Sequence, residues 1–254
     1  MTTIATDTRT DTEARTHITP TTPADGRVIV TGGSSGLGAA VVAALRARGA
    51  QVAVLDRARP QTAAGGADAP FREVDVTNSA AVATAVAELR DELGGIDAVV
   101  TAAGIDRPGR LDEVPADEWE RVIGVDLIGV AATVRAALPA LKESHGRVVT
   151  VASTLALKGV SDATAYCAAK FGVLGFSRAL AAELAGEVGV TTLIPGGMKT
   201  HFFDGRDAQY APGDDAKLND PARTADAVVY ALAQPAGCEV RELLIAHEEE
   251  PSWP

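Results

Sequence analysis

Cysteine is nearly absent from this chain: Cys167 and Cys238 are the only two among 254 residues. That is too few for a disulfide framework or a multi-cysteine zinc site. Basic residues are also scarce, with 23 Lys and Arg against 34 Asp and Glu, a formal charge of −11. A nucleic-acid binder needs a basic stripe to neutralise phosphates, so that class of partner is excluded. No run of 18 or more apolar residues occurs, so no segment is expected to span a membrane. The opening MTTIATDTRTDTEARTH holds no apolar stretch of the kind a signal peptide needs. By default the setting is reducing and cytoplasmic. The excess of Arg over Lys and the abundance of Ala suit a GC-rich bacterial genome.

Hydrophobic residues at 46% and charged residues at 22% are near the average for a globular protein. A chain of this length buries on the order of 70–75% of its surface. Residues 1–25 are rich in Thr, Asp and Pro without a hydrophobic period, and read as a disordered leader. From 26 to 254, short Val-rich runs alternate with helical stretches, the signature of βαβ units. The runs are Val28–Thr31, Gln51–Leu55, Phe71–Val74, Ala98–Thr101, Arg147–Val151, Val190–Ile194 and Glu239–Ala246. Between them, helices are expected near Leu37–Ala47, Ser79–Leu93, Asp117–Leu141, Ala163–Ala185 and Thr224–Ala233. The fold class is therefore α/β: one doubly wound, Rossmann-type domain with a seven-stranded parallel sheet and helices on both faces. Met198–Asn219 lacks a clean period and carries Phe202, Phe203 and Tyr210, which suggests a functional lid. The acidic tail His247–Pro254 reads as a solvated terminus.

The first strand runs into Thr31-Gly32-Gly33-Ser34-Ser35-Gly36-Leu37-Gly38 and then directly into a helix. Gly32 permits a sharp turn, Gly36 a close backbone approach, and Gly38 close helix–sheet packing. A helix N-terminus there offers unpaired N–H groups and a positive dipole end to a pyrophosphate. No Gly-Lys-Ser/Thr follows, so this is not a P-loop. The second strand ends at Asp56, 18 residues after Gly38, where a carboxylate meets the adenosine ribose of NAD. It would repel a 2′-phosphate, which makes NADP the lesser expectation, although Arg57 beside it could bind one.

Tyr166 and Lys170 are four residues apart in a helical stretch and so share a face. An ammonium favours phenolate and lowers a phenol's pKa from its usual value near 10. A phenol so tuned can exchange the proton of an alcohol while hydride moves. Ser153 lies just past the strand Arg147–Val151, at the strand end where open α/β sheets bind ligands. The four histidines lack metal-ligand spacing with either cysteine, and no metal is expected; His201, in the lid, could touch substrate.

Taken together in order and spacing, these residues resemble the short-chain dehydrogenase/reductase family, in its common single-domain branch, from about Arg27 to Ala246. The resemblance implies that Gly32, Ser35, Gly36 and Leu37 hold the pyrophosphate and adenosine side. Asp75 and Val76 would line the adenine pocket, with Ala102 and Gly104 also against the cofactor. Tyr166 would be the general acid/base and Ser153 would polarise the substrate oxygen. Lys170 would bind the nicotinamide ribose and acidify the tyrosine. Pro195-Gly196, with Met198 and Thr200, is similar to the family's PGxxxT at the carboxamide. A homodimer or homotetramer is implied, through the Asp117–Leu141 and Tyr166 helices. The activity implied is interconversion of a secondary alcohol and a ketone.

Two departures stand out. Thr101-Ala102-Ala103-Gly104 replaces the family's Asn-Asn-Ala-Gly, removing an asparagine that ties strands together. Asp126 stands where the family commonly has Asn as a fourth catalytic residue. A carboxylate there would stabilise the Lys170 ammonium and oppose phenolate formation at Tyr166. The same motifs would also serve an NAD(H)-binding sensor without turnover, an epimerase or a dehydratase. The complete Ser153, Tyr166 and Lys170 set argues for turnover.

Overall fold

In the computed structural model the Val-rich runs pair into a seven-stranded sheet: β1 (Arg27–Thr31), β2 (Gln51–Asp56), β3 (Phe71–Glu73), β4 (Ala98–Thr101), β5 (Arg147–Val151), β6 (Gly189–Pro195) and β7 (Glu242–Ile245). The structure describes residues 26–61, 68–213, 215–250 and 252; the leader expected over 1–25 lies outside them. Every strand pairing is parallel, in the order β3-β2-β1-β4-β5-β6-β7. The winding reverses between β1 and β4, which opens a crevice at their C-terminal ends. The final strand is shorter than the run Glu239–Ala246 suggests, because only 242–245 reach the β6 edge.

Successive residues of a strand serve different layers. Val28 and Val30 pack with Val41 and Leu45 of α1 (Gly36–Arg46). Ile29, between them, packs with Val82 and Leu89 of α2 (Ser79–Leu93). Both faces are therefore apolar, which is why the strands read as continuous hydrophobic runs. Each such fully buried side chain contributes about 1.5–3 kcal/mol.

The stretch expected as one helix over Asp117–Leu141 is three pieces in unbroken succession. They are α3 (Ala116–Ile123), a π-helical turn (Gly124–Ile128) and α4 (Gly129–Ser144). Glycine at the turn's start and just beyond it accommodates close neighbours: a Cβ on Gly129 would lie 2.7 Å from Val76 Cγ2, and one on Gly124 3.2 Å from Thr77 Cγ2. The composite Ala116–Ser144 is long and apolar enough to cross a membrane, but Val134, Ala137 and Leu141 pack into the core layer under the sheet. α5 (Thr164–Glu183) lies on the same face, and α6 (Pro221–Leu232) beside α1 on the other.

Candidate active site

The glycine loop is shaped by contact. Gly32 has φ +68°, and a Cβ on it would lie 2.6 Å from the Ala103 backbone nitrogen. One on Gly38 would lie 2.1 Å from the Gly32 carbonyl oxygen, so α1 can press against the loop only without a side chain there. The cap residue Ser35 makes no side-chain hydrogen bond to the first turn of α1, and that turn carries no acidic residue. Its N–H groups and positive dipole end are thus left for an external anion.

At the end of β2, Asp56 Oδ2 accepts the Ser34 N–H at 3.0 Å and Oδ1 the Arg57 N–H at 2.6 Å. The carboxylate is held in place by the loop, with lone pairs remaining. Asp75 accepts the Thr77 N–H at 3.0 Å and the Thr77 hydroxyl at 2.8 Å. The Thr77 N–H is the main reason its carboxyl is held below the usual range.

The missing asparagine of the β4 loop has a substitute. The Ala102 N–H reaches the Thr31 carbonyl at 3.1 Å, and the Ala103 N–H the Thr31 hydroxyl at 3.3 Å. Thr31 therefore ties the ends of β1 and β4, while the buried Thr101 hydroxyl is left without a partner.

One cavity of about 760 Å³ opens along these strand ends. All of the residues singled out from the sequence line it, except Asp126, which lies behind Lys170. Lys170 is nearly inaccessible; its Nζ donates to the Val151 carbonyl at 3.1 Å and lies 3.1 Å from Asp126 Oδ2. The other Asp126 oxygen accepts the Ile105 N–H at 2.8 Å. Lys170 Nζ is 5.4 Å from the centroid of the Tyr166 ring, and the Ser153 side chain hydrogen-bonds to Tyr166. Ser153 Oγ also accepts the Leu155 N–H at 3.1 Å, which leaves its own proton to point toward the phenol or a substrate oxygen.

The electrostatics correct one expectation. Burial raises the Tyr166 pKa above its ordinary value; Lys170 works to lower it, but Asp126 adds to the rise. In the protein without ligand the tyrosine is a phenol. Burial disfavours the Lys170 ammonium, yet Asp126 more than restores it and the pKa stands above the usual value. Burial likewise pushes Asp126 upward, against the pull of Lys170. At 3.1 Å the pair is best described as ammonium and carboxylate.

Three features went unread in the sequence. First, Asp106, just past the β4 loop, meets Arg206 of the lid at 3.0 Å, with both side chains largely covered. Burial raises the Asp106 pKa despite that guanidinium. Second, the lid's aromatics are arranged around the site: Phe202 lies 5.7 Å from Tyr166, and Arg206 stacks on Phe202 at 5.0 Å and Phe203 at 4.6 Å. The lid's ends are pinned, the Lys199 N–H to Asn219 O at 2.8 Å and the Asn219 N–H to Gly197 O at 2.9 Å. Third, the tail read as a solvated terminus is not one: Glu250 and Ser252 line the cavity. His201 borders the cavity but is exposed and paired with Asp204. Both cysteines are free, and no cluster among the described residues suits a metal ion.

A sequence profile described as short chain dehydrogenase matches residues 27–211. An uncharacterized oxidoreductase of Staphylococcus aureus is 34% identical over 224 residues, 85% of this chain and 95% of that protein. A glycine betaine reductase of Emericella nidulans is 33% identical over 91% of this chain, which spans only 19% of that longer protein. Among solved structures, an aldohexose dehydrogenase of Thermoplasma acidophilum superposes with a TM-score of 0.78 at 25% identity, covering 87% of this chain and 92% of that one. A 3-ketoacyl-(acyl-carrier-protein) reductase of Brucella melitensis complexed with NADH gives 0.79 at 24% identity, over 89% and 99%; it supports the fold.

Proposed function

This chain belongs to the short-chain dehydrogenase/reductase family of oxidoreductases, and on that premise we propose that it interconverts a secondary alcohol and a ketone using NAD(H). The observation that carries the reading is the convergence of Ser153, Tyr166 and Lys170 at one end of a cavity whose other end is an uncapped helix N-terminus. Similar proteins named as dehydrogenases and reductases, aldohexose dehydrogenase and glycine betaine reductase among them, fit the same chemistry.

The cavity fits a dinucleotide. The free N–H groups at the start of α1 suit a pyrophosphate, and Gly32 and Gly36 leave room for its approach. Asp56 would accept ribose hydroxyls, which favours NAD(H) over NADP(H). Asp75 and Val76 would flank the adenine, with Ala102 and Gly104 along the nicotinamide side. Pro195, Gly196, Met198 and Thr200 would meet the carboxamide. When bound, the nicotinamide ring supplies or accepts a hydride.

Tyr166 gives its hydroxyl proton to a carbonyl oxygen during reduction and takes it back from the alcohol during oxidation. Ser153 holds that same oxygen by its hydroxyl, fixing which carbon faces the nicotinamide. Lys170, kept cationic by Asp126, favours the phenolate and supplies a donor to the nicotinamide ribose. The lid aromatics exclude water from the transfer. A homodimer belongs to the same proposal: Ile128, 49% exposed, and Phe171, 45% exposed, are large apolar side chains on the π-turn and α5.

Replacement of Tyr166 by Phe tests the reading. Turnover should fall by at least about 10²-fold, with NADH affinity by fluorescence titration nearly unchanged. Retained turnover would refute the catalytic role.

A further inference from the structure

We propose that the C-terminal segment is part of the substrate site, and that the Glu250 carboxylate makes this site select cationic over anionic alcohols and ketones. The inference rests on the alcohol–ketone reading above and supplies its substrate class.

Two anchors bring the segment across the cavity. Glu250 Oε2 accepts the Gly197 N–H at 2.9 Å, on the loop that follows β6. The Ser252 hydroxyl lies 2.6 Å from that of Thr154, the residue next to Ser153. Glu250 Oε1 joins the anchors, accepting the Ser252 N–H at 3.2 Å and its hydroxyl at 2.6 Å. A Cβ on Gly196 would lie 2.5 Å from Glu250 Oε2, so glycine at that position is what admits the carboxylate so close to the loop.

The charges at this end of the cavity do not cancel. Asp126 is matched by Lys170, and Asp106 by Arg206. The hydrogen bonds of Glu250 come from neutral donors, and it has no cationic partner among the described residues. One negative charge therefore remains on the wall of a cleft, where fields are stronger than in bulk water. The neighbouring Phe202 and Phe203 rings already hold one cation, Arg206, and aromatic faces favour another. A substrate bearing an ammonium or quaternary ammonium group would be attracted, and a carboxylate repelled.

The test uses three matched alcohols: 1-(4-trimethylammoniophenyl)ethanol, its neutral tert-butyl isostere, and the corresponding benzoate. Each is titrated calorimetrically into protein saturated with NADH, a combination that cannot turn over. The wild-type protein should prefer the cation over the benzoate by at least about tenfold, or 1.4 kcal/mol. Glu250→Gln keeps an acceptor for the Gly197 N–H but removes the charge, and should bring the two alcohols to nearly equal affinity with the neutral isostere unchanged. Glu250→Ala should weaken the neutral isostere as well, because the wall is lost. Glu249→Gln, an exposed neighbour with the same charge change, should leave the preference intact. Equal binding of the charged pair by the wild type, an unaltered preference in Glu250→Gln, or no binding of any of the three would overturn the proposal. Failure of NADH itself to bind would overturn the cofactor reading instead, and the same titrations on the cofactor-free protein then decide the charge preference.

Discussion

The Asp126 carboxylate lies 3.1 Å from the Lys170 ammonium in a place neither water nor ligand reaches directly. The proposed base, Tyr166, feels both members: Lys170 lowers its pKa and Asp126 raises it. Asp126→Asn removes only the opposing charge. The rising limb of the pH profile for alcohol oxidation, which reports formation of phenolate, should move to lower pH. Measurement of kcat/KM against pH in both proteins checks this, and an unmoved or alkaline-shifted limb would contradict it. Asp126→Ala, which leaves the ammonium without a buried partner, should cost about 3–5 kcal/mol by denaturant unfolding.

Cofactor choice should depend on Asp56. Its carboxylate is fixed by the Ser34 and Arg57 N–H groups and faces the cavity beside Arg57. In Asp56→Ala the ratio of NADH to NADPH affinity should fall at least about tenfold, or 1.4 kcal/mol. Fluorescence titration with each cofactor reads the ratio directly.

The Asp106–Arg206 pair joins the β4 loop to the lid. In Arg206→Ala a covered carboxylate loses its only close cation, a loss of about 1–3 kcal/mol at neutral pH. The pH dependence has a definite sign. Asp106 has a raised pKa in the folded protein, so the fold binds its proton more tightly than the unfolded chain does. That contribution is full below the ordinary carboxylate pKa and is lost as pH rises through the folded value. Without Arg206 the folded pKa rises further. The stability gap between variant and wild type, measured by urea unfolding, should thus narrow toward acid pH.

Phe171→Asp, or Ile128→Asp, places a charge on an exposed apolar side chain of the proposed dimer face. Either should shift sedimentation toward the monomer while leaving far-ultraviolet circular dichroism unchanged. An unchanged sedimentation coefficient would rule that face out.

What could be read from the sequence was what is local along it. The Thr31–Gly38 loop declares itself because steric demands at Gly32 and Gly38 come from neighbours fixed by the same βα unit. Tyr166 and Lys170 are one helical turn apart, so their shared face follows from spacing alone. The Arg206–Asp106 pair and the Glu250–Gly197 hydrogen bond join segments remote in sequence, and no period or motif records such meetings. The sign of the Tyr166 shift was missed for a related reason. The effect of Lys170 is a spacing argument, whereas desolvation depends on what the whole fold stacks over the ring.

The π-helical turn at Gly124–Ile128 bears on how this helix tolerates change. Each residue advances a helix by about 100°, so deleting one within that turn would re-phase everything downstream of it. Val134 and Leu141 would rotate off the sheet, and the deletion would break the frame that aims Asp126 at Lys170 while Ile128 faces out. Side-chain exchanges there alter charge alone; a shift in chain length would dismantle the helix layer and the catalytic pairing together.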